Sequence, residues 1–289
     1  MDAKTLTALE ESIAHWERIR DGKEAERIKN GYRQQRQVER MKSGISYPKL
    51  YVLVSGGKDS LSTAQVLHEA GKLEACVALE TGISTPDWKE FVIKVCADRG
   101  WPLEFYSTDY TYEQFVLKYG FPGPSKHSWA MRYLKGRAIR AFRRARPYGI
   151  LASGVRSDES TIRAGSVRPV GQWEGAPILA PIFDWTTAET WEFFRDRGFE
   201  RAPAYSTLQI SGDCLCGAYA REDEPESVKY WYPGIWKRFE ALKEAVKDKF
   251  PKRCDWGCGW KNKAPAKKGA EAMVCVECAP RDLFEETTQ

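Results

Sequence analysis

The chain has 289 residues, 42% hydrophobic and 29% charged, with 45 Lys and Arg against 40 Asp and Glu for a net charge of +5. That length suits one large domain or two smaller ones around a sizeable core, and the balance is that of a soluble globular chain. No apolar run approaches a membrane span and the charged N-terminus has no signal-peptide core, so a membrane partner is excluded and a cytoplasmic location is the expectation.

Residues 1–44 form an expected helical extension. Leu6, Leu9, Ile13, Trp16 and Ile19 recur at spacings of three and four, which places them on one face. Such a face packs on the main domain or on a second copy of the chain, the latter making a homo-oligomer. Ser43, Gly44 and Pro48 end it.

Residues 45–210 read as one α/β domain. Tyr51-Val-Leu-Val54 is a buried strand, and Leu61, Ala64 and Leu67 then fall at helical spacing. The link is Ser55-Gly56-Gly57-Lys58-Asp59-Ser60. Two glycines allow a sharp turn and close approach of backbone to a ligand, and the amides and dipole of a helix start favour an anion. Lys58 adds a point charge. The spacing is neither that of the Walker loop nor GxGxxG. A serine-capped glycine turn at a helix start is the plainer alternative. SGGKDS matches, residue for residue, the signature of the PP-loop ATP pyrophosphatases, the adenine-nucleotide hydrolase-like superfamily, and the chain resembles them here.

Ala75-Cys-Val-Ala-Leu79 is a second buried strand, ending at Glu80-Thr81-Gly82, with a helix through Trp88, Phe91, Val92 and Val95 behind it. Leu103 to Tyr106 is a third strand. Alternating strands and helices predict a Rossmann-like parallel sheet flanked by helices, with ligands outside the carboxyl ends of the strands. From Arg132 to Arg146 there are seven basic residues and no acidic one. A solvated helix face and a phosphate or nucleic-acid surface fit that run equally well. His127 stands just before it and carries no assigned role. Cys76 and Cys96 lie among apolar residues and read as buried thiols.

Tyr148 to Ala152 is a further strand, followed by Ser153-Gly154-Val155-Arg156-Ser157-Asp158-Glu159-Ser160 and Arg163. This GxRxxES segment resembles the second signature of the PAPS reductase family within the PP-loop superfamily. Glu80-Thr81-Gly82 resembles that family's Asp-Thr-Gly, with a carboxylate one methylene longer, and Pro181 to Trp185 with Glu189 and Trp191 resembles its PL..W...EVW segment. The resemblance covers roughly residues 50–216. It implies a nucleotide site made of Ser55, Gly56, Gly57, Lys58, Asp59, Ser60, Glu80, Thr81, Gly82, Lys135, Gly154, Arg156, Glu159, Ser160 and Arg163. Lys58, Asp59 and Arg156 would carry the chemistry: Lys58 meets the leaving pyrophosphate, Arg156 and Arg163 present guanidinium forks to phosphate or sulfate, and Asp59 assists Mg²⁺. For Arg156, Arg163 and Lys135 the competing reading is an ordinary salt bridge.

Residues 211–289 form a cysteine-rich, metal-binding region with six of the eight cysteines. Cys254 and Cys258, then sixteen intervening residues, then Cys275 and Cys278, approach the spacing of a four-thiolate site for zinc or an iron–sulfur cluster. Cys214-Leu-Cys216 stands where PAPS reductase relatives carry CxxC, and its thiols are redox groups or alternative metal ligands. Family relatives that move sulfur hold a four-iron cluster, so a set using Cys214 or Cys216 with later cysteines is the second arrangement. Lysines interleaved with Trp256 and Trp260 fit either nucleic acid or a solvated loop.

An intact SGGKDS favours ATP, cleaved between its α and β phosphates to adenylylate an acceptor for sulfur transfer. Relatives in tRNA thiolation and DNA phosphorothioation make a nucleic-acid acceptor and a sulfur-donor protein the implied partners. A PAPS or adenylylsulfate reductase is the alternative, although Glu277-Cys278 keeps only part of its C-terminal thiol motif. A non-catalytic nucleotide sensor is the third reading, and it would not need Lys58, Asp59, Arg156 and Glu159 together.

Overall fold

The structure is a computed structural model that describes Ala14, residues 50–124, 127–159, 168–249 and 255–257, and the strand backbone of 263–265 and 273–275. The expected N-terminal helix at 1–44, apart from Ala14, lies outside the described residues, as do Ser160, Arg163, Cys254, Cys258, Cys278 and Trp260. Two compact units emerge, each from three chain segments: Met1–Ala78, Val92–Tyr106 and Ile139–Arg201 in the first, Leu79–Phe91, Ser107–Ala138 and Ala202–Gln289 in the second. Among the described residues no helix is long and apolar enough to cross a membrane.

The first unit carries a six-stranded sheet of order β3-β2-β1-β4-β6-β5. Its strands are β1 (Leu50–Leu53), β2 (Leu73–Glu80), β3 (Leu103–Ser107), β4 (Ile150–Ala152), β5 (Val170–Trp173) and β6 (Ala176–Leu179). β1 runs parallel to β2 and β4, and β4 parallel to β6. Strands covered on both faces read as unbroken apolar runs, which is why β1, β2 and β4 were legible without alternation. β5 returns antiparallel to β6 through a two-residue turn with φ of 48° at Glu174 and 73° at Gly175.

Helix α1 (Lys58–Glu69) follows β1 and ends where Gly71 takes φ 65° and the Lys72 amide reaches back to Leu67 O at 2.8 Å. Helix α2 (Trp88–Asp98) follows β2, and Cys76 and Cys96, buried as expected, hydrogen-bond one another there. In the second unit lie α3 (Tyr112–Tyr119) and α4 (His127–Met131). A π-helical turn, Arg132–Gly136, then leads into α5 (Arg137–Ala145). Phe142 of α5 meets Tyr51 edge-on at 5.1 Å, packing the helix on the sheet. In the first unit α6 (Thr187–Asp196) opens on a capping box between Thr186 and Glu189.

Much of the basic run is structural. Arg140 pairs with Glu174, Arg143 donates to Glu174 O at 3.0 Å, Arg146 to Glu104 at 2.6 Å, and Lys135 to Asp213 at 2.5 Å.

The second unit also holds α7 (Ala204–Thr207), α8 (Glu224–Trp231), α9 (Pro233–Val246) and a β7–β8 hairpin pairing Lys263 with Cys275. Its core joins Ile83, Phe115, Leu134, Leu215 and Phe239. Trp256 stacks on Phe239 at 4.6 Å and donates Nε1 to Leu215 O at 2.8 Å.

Candidate functional site

The loop between β1 and α1 is knitted by its own serines. The Ser55 amide donates to Ser60 Oγ at 3.2 Å, and that hydroxyl donates to Gly57 O at 2.9 Å. Gly56 takes φ 80°, where a side chain would be strained, and Gly57 precedes the helix without a side-chain cap. With no capping side chain over them, the first-turn amides of Lys58, Asp59 and Ser60 suit an anion, reinforced by the dipole.

Lys58 Nζ donates to both oxygens of Asp59 at 2.7 Å and stands 5.6 Å from the Trp191 ring centroid. Arg156 Nε donates to Asp59 Oδ1 at 2.7 Å. The rest of the guanidinium is spent on Trp185 O at 3.2 Å and Thr187 Oγ1 at 3.3 Å, and the side chain is 2% exposed. Arg156 therefore turns inward to brace a carboxylate instead of presenting an open fork. Its own amide donates to Glu159 Oε1 at 3.0 Å. Asp158, whose pKa is lowered by the amide and hydroxyl of Thr187, ties the same turn to α6.

Gly154 explains how the two signature segments abut. A Cβ there would lie 2.6 Å from the carbonyl carbon of Asp59 and 2.8 Å from Ser60 N. Only a residue without a side chain lets the exit of β4 come that close to the start of α1.

A second group of expected site residues converges within the second unit. The buried Thr81 hydroxyl donates to Asp213 O at 3.0 Å, and Ser211 Oγ donates to Asp213 Oδ1 at 2.8 Å. Lys135, on the π-helical turn, takes the other oxygen of Asp213. Burial opposes the Lys135 charge, but the Asp213 carboxylate outweighs it and raises the pKa. Glu80 accepts from Lys89 Nζ at 2.6 Å, and Gly82 O accepts from Arg238 at 3.0 Å.

Cys214 and Cys216 pack against the same core as Ile83 and Leu215 and hydrogen-bond one another. The Cys214 proton, with help from His127 and the Ala218 amide, holds the Cys216 thiol well below its ordinary pKa, while Cys214 is pushed up. Tyr112 OH donates to Cys216 O at 2.8 Å, and burial pushes its phenol well up. His127 meets the Tyr219 ring edge-on at 4.8 Å. Among the described residues no group of three or more His, Cys, Asp or Glu is placed to hold a metal ion. The paired thiols fit half of a four-thiolate donor set.

Sequence reasoning gave no role to His127, Asp213, Ser211 or Thr187. The one available signal was the polar Ser211-Gly-Asp213 directly before the cysteine pair.

Residues 49–209 match the family described as the phosphoadenosine phosphosulfate reductase domain. No curated protein sequence matches the chain. Similar solved structures include the PAPS reductase of Candida auris in a phosphate complex, 16% identical over 56% of this chain and 80% of that one, with TM-score 0.42. The U34-tRNA thiolase of Methanococcus maripaludis with its [4Fe-4S] cluster is 16% identical over 68% and 72%, with TM-score 0.41. The FMN adenylyltransferase of Candida glabrata with FMN and an ATP analogue is 15% identical over 51% of this chain, which spans 48% of that one, with TM-score 0.37.

Proposed function

The chain belongs to the phosphoadenosine phosphosulfate reductase domain family, and on that premise we propose that it is an enzyme cleaving ATP between the α and β phosphates. It releases pyrophosphate and leaves an adenylylated acceptor, a nucleic acid, open to attack by sulfur brought by a donor protein. The observation that carries this is the complete, side-chain-uncapped SGGKDS loop, with Gly56 at φ 80° and Lys58 beside its helix start. A loop built to receive pyrophosphate needs those amides and a cation where charge grows on the leaving group.

The residues divide the work. The first-turn amides of α1 take phosphate oxygens, and Lys58 exchanges Asp59 for the leaving group. Asp59, steadied by Arg156, holds Mg²⁺, which neutralises charge on the phosphate oxygens when bound. In the second unit Cys214 and Cys216 supply thiolate ligands or sulfur chemistry.

A four-iron cluster or Zn²⁺ completes the reading. Trp256 lies two residues from Cys254 and two from Cys258 along the chain, and its indole is fastened to the carbonyl between Cys214 and Cys216. That tether supports the arrangement drawing on Cys214 and Cys216 over the one confined to Cys254, Cys258, Cys275 and Cys278.

The test is pyrophosphate release from ATP with Mg²⁺, with and without nucleic acid. Thiol-dependent sulfite release from PAPS, without use of ATP, would overturn the proposal in favour of a reductase.

A further inference from the structure

A row of aromatic rings crosses the second unit outside the groups already described. Trp129, 50% exposed, meets Tyr119 at 5.9 Å; Tyr119 meets Tyr133 at 6.0 Å; and Tyr133 meets Tyr110, 37% exposed, at 4.9 Å. All three contacts are edge-on, so neighbouring rings turn their faces in different directions.

Cations accompany the rings. The Arg137 guanidinium lies 3.4 Å from the Tyr110 centroid and 5.0 Å from that of Tyr133, and Lys118 Nζ lies 5.2 Å from that of Tyr119. Arg132 is exposed on the π-helical turn. The nearby acid Glu113 is taken up by Arg238 at 2.5 Å. Here the exposed rings of Trp129 and Tyr110 share the surface with positive charge.

The row also has a direction. Helix α4 carries Trp129 toward Tyr119 and, two residues earlier, His127 against Tyr219, which is 65% exposed. His127 is the imidazole beside Cys216.

We propose that this row is a stacking platform for single-stranded nucleic acid, with bases on Trp129 and Tyr110 and phosphates on Lys118, Arg132 and Arg137. Bases stack on any aromatic face with little sequence preference, and interleaved cations track the backbone. The platform rests on the nucleic-acid acceptor of the reading above and would lead the strand toward the thiol pair.

The experiment is fluorescence anisotropy with the full chain and a fluorescein-labelled 20-nucleotide single strand of mixed sequence, as RNA and as DNA, without ATP. Binding to either supports the platform, and the tighter one names the source. Trp129→Ala and Tyr110→Ala should each weaken binding roughly tenfold, Trp129→Phe should keep most of it, and Arg137→Gln should reduce the salt slope by about one. Unchanged affinity in both folded alanine variants, equal affinity for the same labelled DNA strand annealed to its complement, or no binding at low salt would overturn the proposal. So would a change of oligomeric state in the variants without nucleic-acid binding, because the row would then be a protein interface. A wild-type chain that releases pyrophosphate from ATP but binds no strand sinks only the platform. Strand binding retained without pyrophosphate release from ATP sinks only the reading it rests on.

Discussion

Arg156 Nε donates to Asp59 Oδ1 across 2.7 Å, from a side chain only 2% exposed, while Lys58 Nζ holds both oxygens of that carboxylate at 2.7 Å. One acid thus bridges a buried guanidinium and the lysine of the glycine loop. Removing the guanidinium leaves a partly buried carboxylate short of one partner and takes a donor away from Trp185 O. Arg156→Ala should lower the unfolding free energy by about 3 kcal/mol. Arg156→Lys should recover little, since an ammonium cannot reproduce the fork to Asp59, Trp185 and Thr187. Urea denaturation checks both.

Among the described residues Lys58 meets a neighbour in its own loop and the face of Trp191, which suits the proposed role as the cation for the leaving group. Lys58→Ala should cut pyrophosphate release at least about a hundredfold while leaving the urea midpoint nearly unchanged. A variant that still turns over at the wild-type rate would refute the assignment.

Gly154→Ala places a methyl against backbone atoms of Asp59 and Ser60 at 2.6–2.8 Å, where no flexible side chain can yield. The exit of β4 and the start of α1 must separate. A loss of roughly 1–3 kcal/mol is expected, with weaker ATP binding by isothermal calorimetry.

Glu69 accepts from Arg197 Nε at 2.6 Å, and that pair lowers its pKa from 4.5 to about 2. A depressed folded pKa gives stability that is present above pH 4.5 and is lost as pH falls through 2. Glu69→Gln should therefore be less stable than wild type by about 1 kcal/mol or less at neutral pH, with the gap closing between pH 4.5 and 2 in acid titrations followed by circular dichroism.

Metal content separates the two cysteine arrangements. An anaerobic preparation should show either the broad absorbance of an iron–sulfur cluster or colourless stoichiometric zinc. Cys214→Ser with Cys216→Ser should lower that metal content markedly. Full content in the double variant would return the site to Cys254, Cys258, Cys275 and Cys278.

Strands β1, β2 and β4 and the helices after β1 and β2 were legible because a parallel sheet buried on both faces demands unbroken apolar runs, and Leu50 to Val54 and Ala75 to Leu79 supply them, whereas the β5–β6 hairpin and α3 were not read from the sequence. The glycine turn was legible for a similar reason, since Gly56 at φ 80° and Gly154 against Asp59 are positions where a side chain would strain or clash. Helix boundaries were less so. Nothing in Arg132-Tyr-Leu-Lys-Gly136 announces the π-helical turn from which Lys135 reaches Asp213.

What the sequence determined by itself is local: the apolar strands, the SGGKDS turn at a helix start, and the family to which these residues belong. Local steric and burial rules act on neighbours in the chain, so they are written in short stretches. Only the tertiary structure decided partners. Arg156 carries five donors whatever its surroundings, but whether they meet a ligand or Asp59, 97 residues away, depends on the approach of β4 to α1. In the same way Lys135 found Asp213 at a separation of 78 residues, and His127 came to lie beside Cys216. Charged and polar side chains show in the sequence what they need, and the fold chooses which group supplies it.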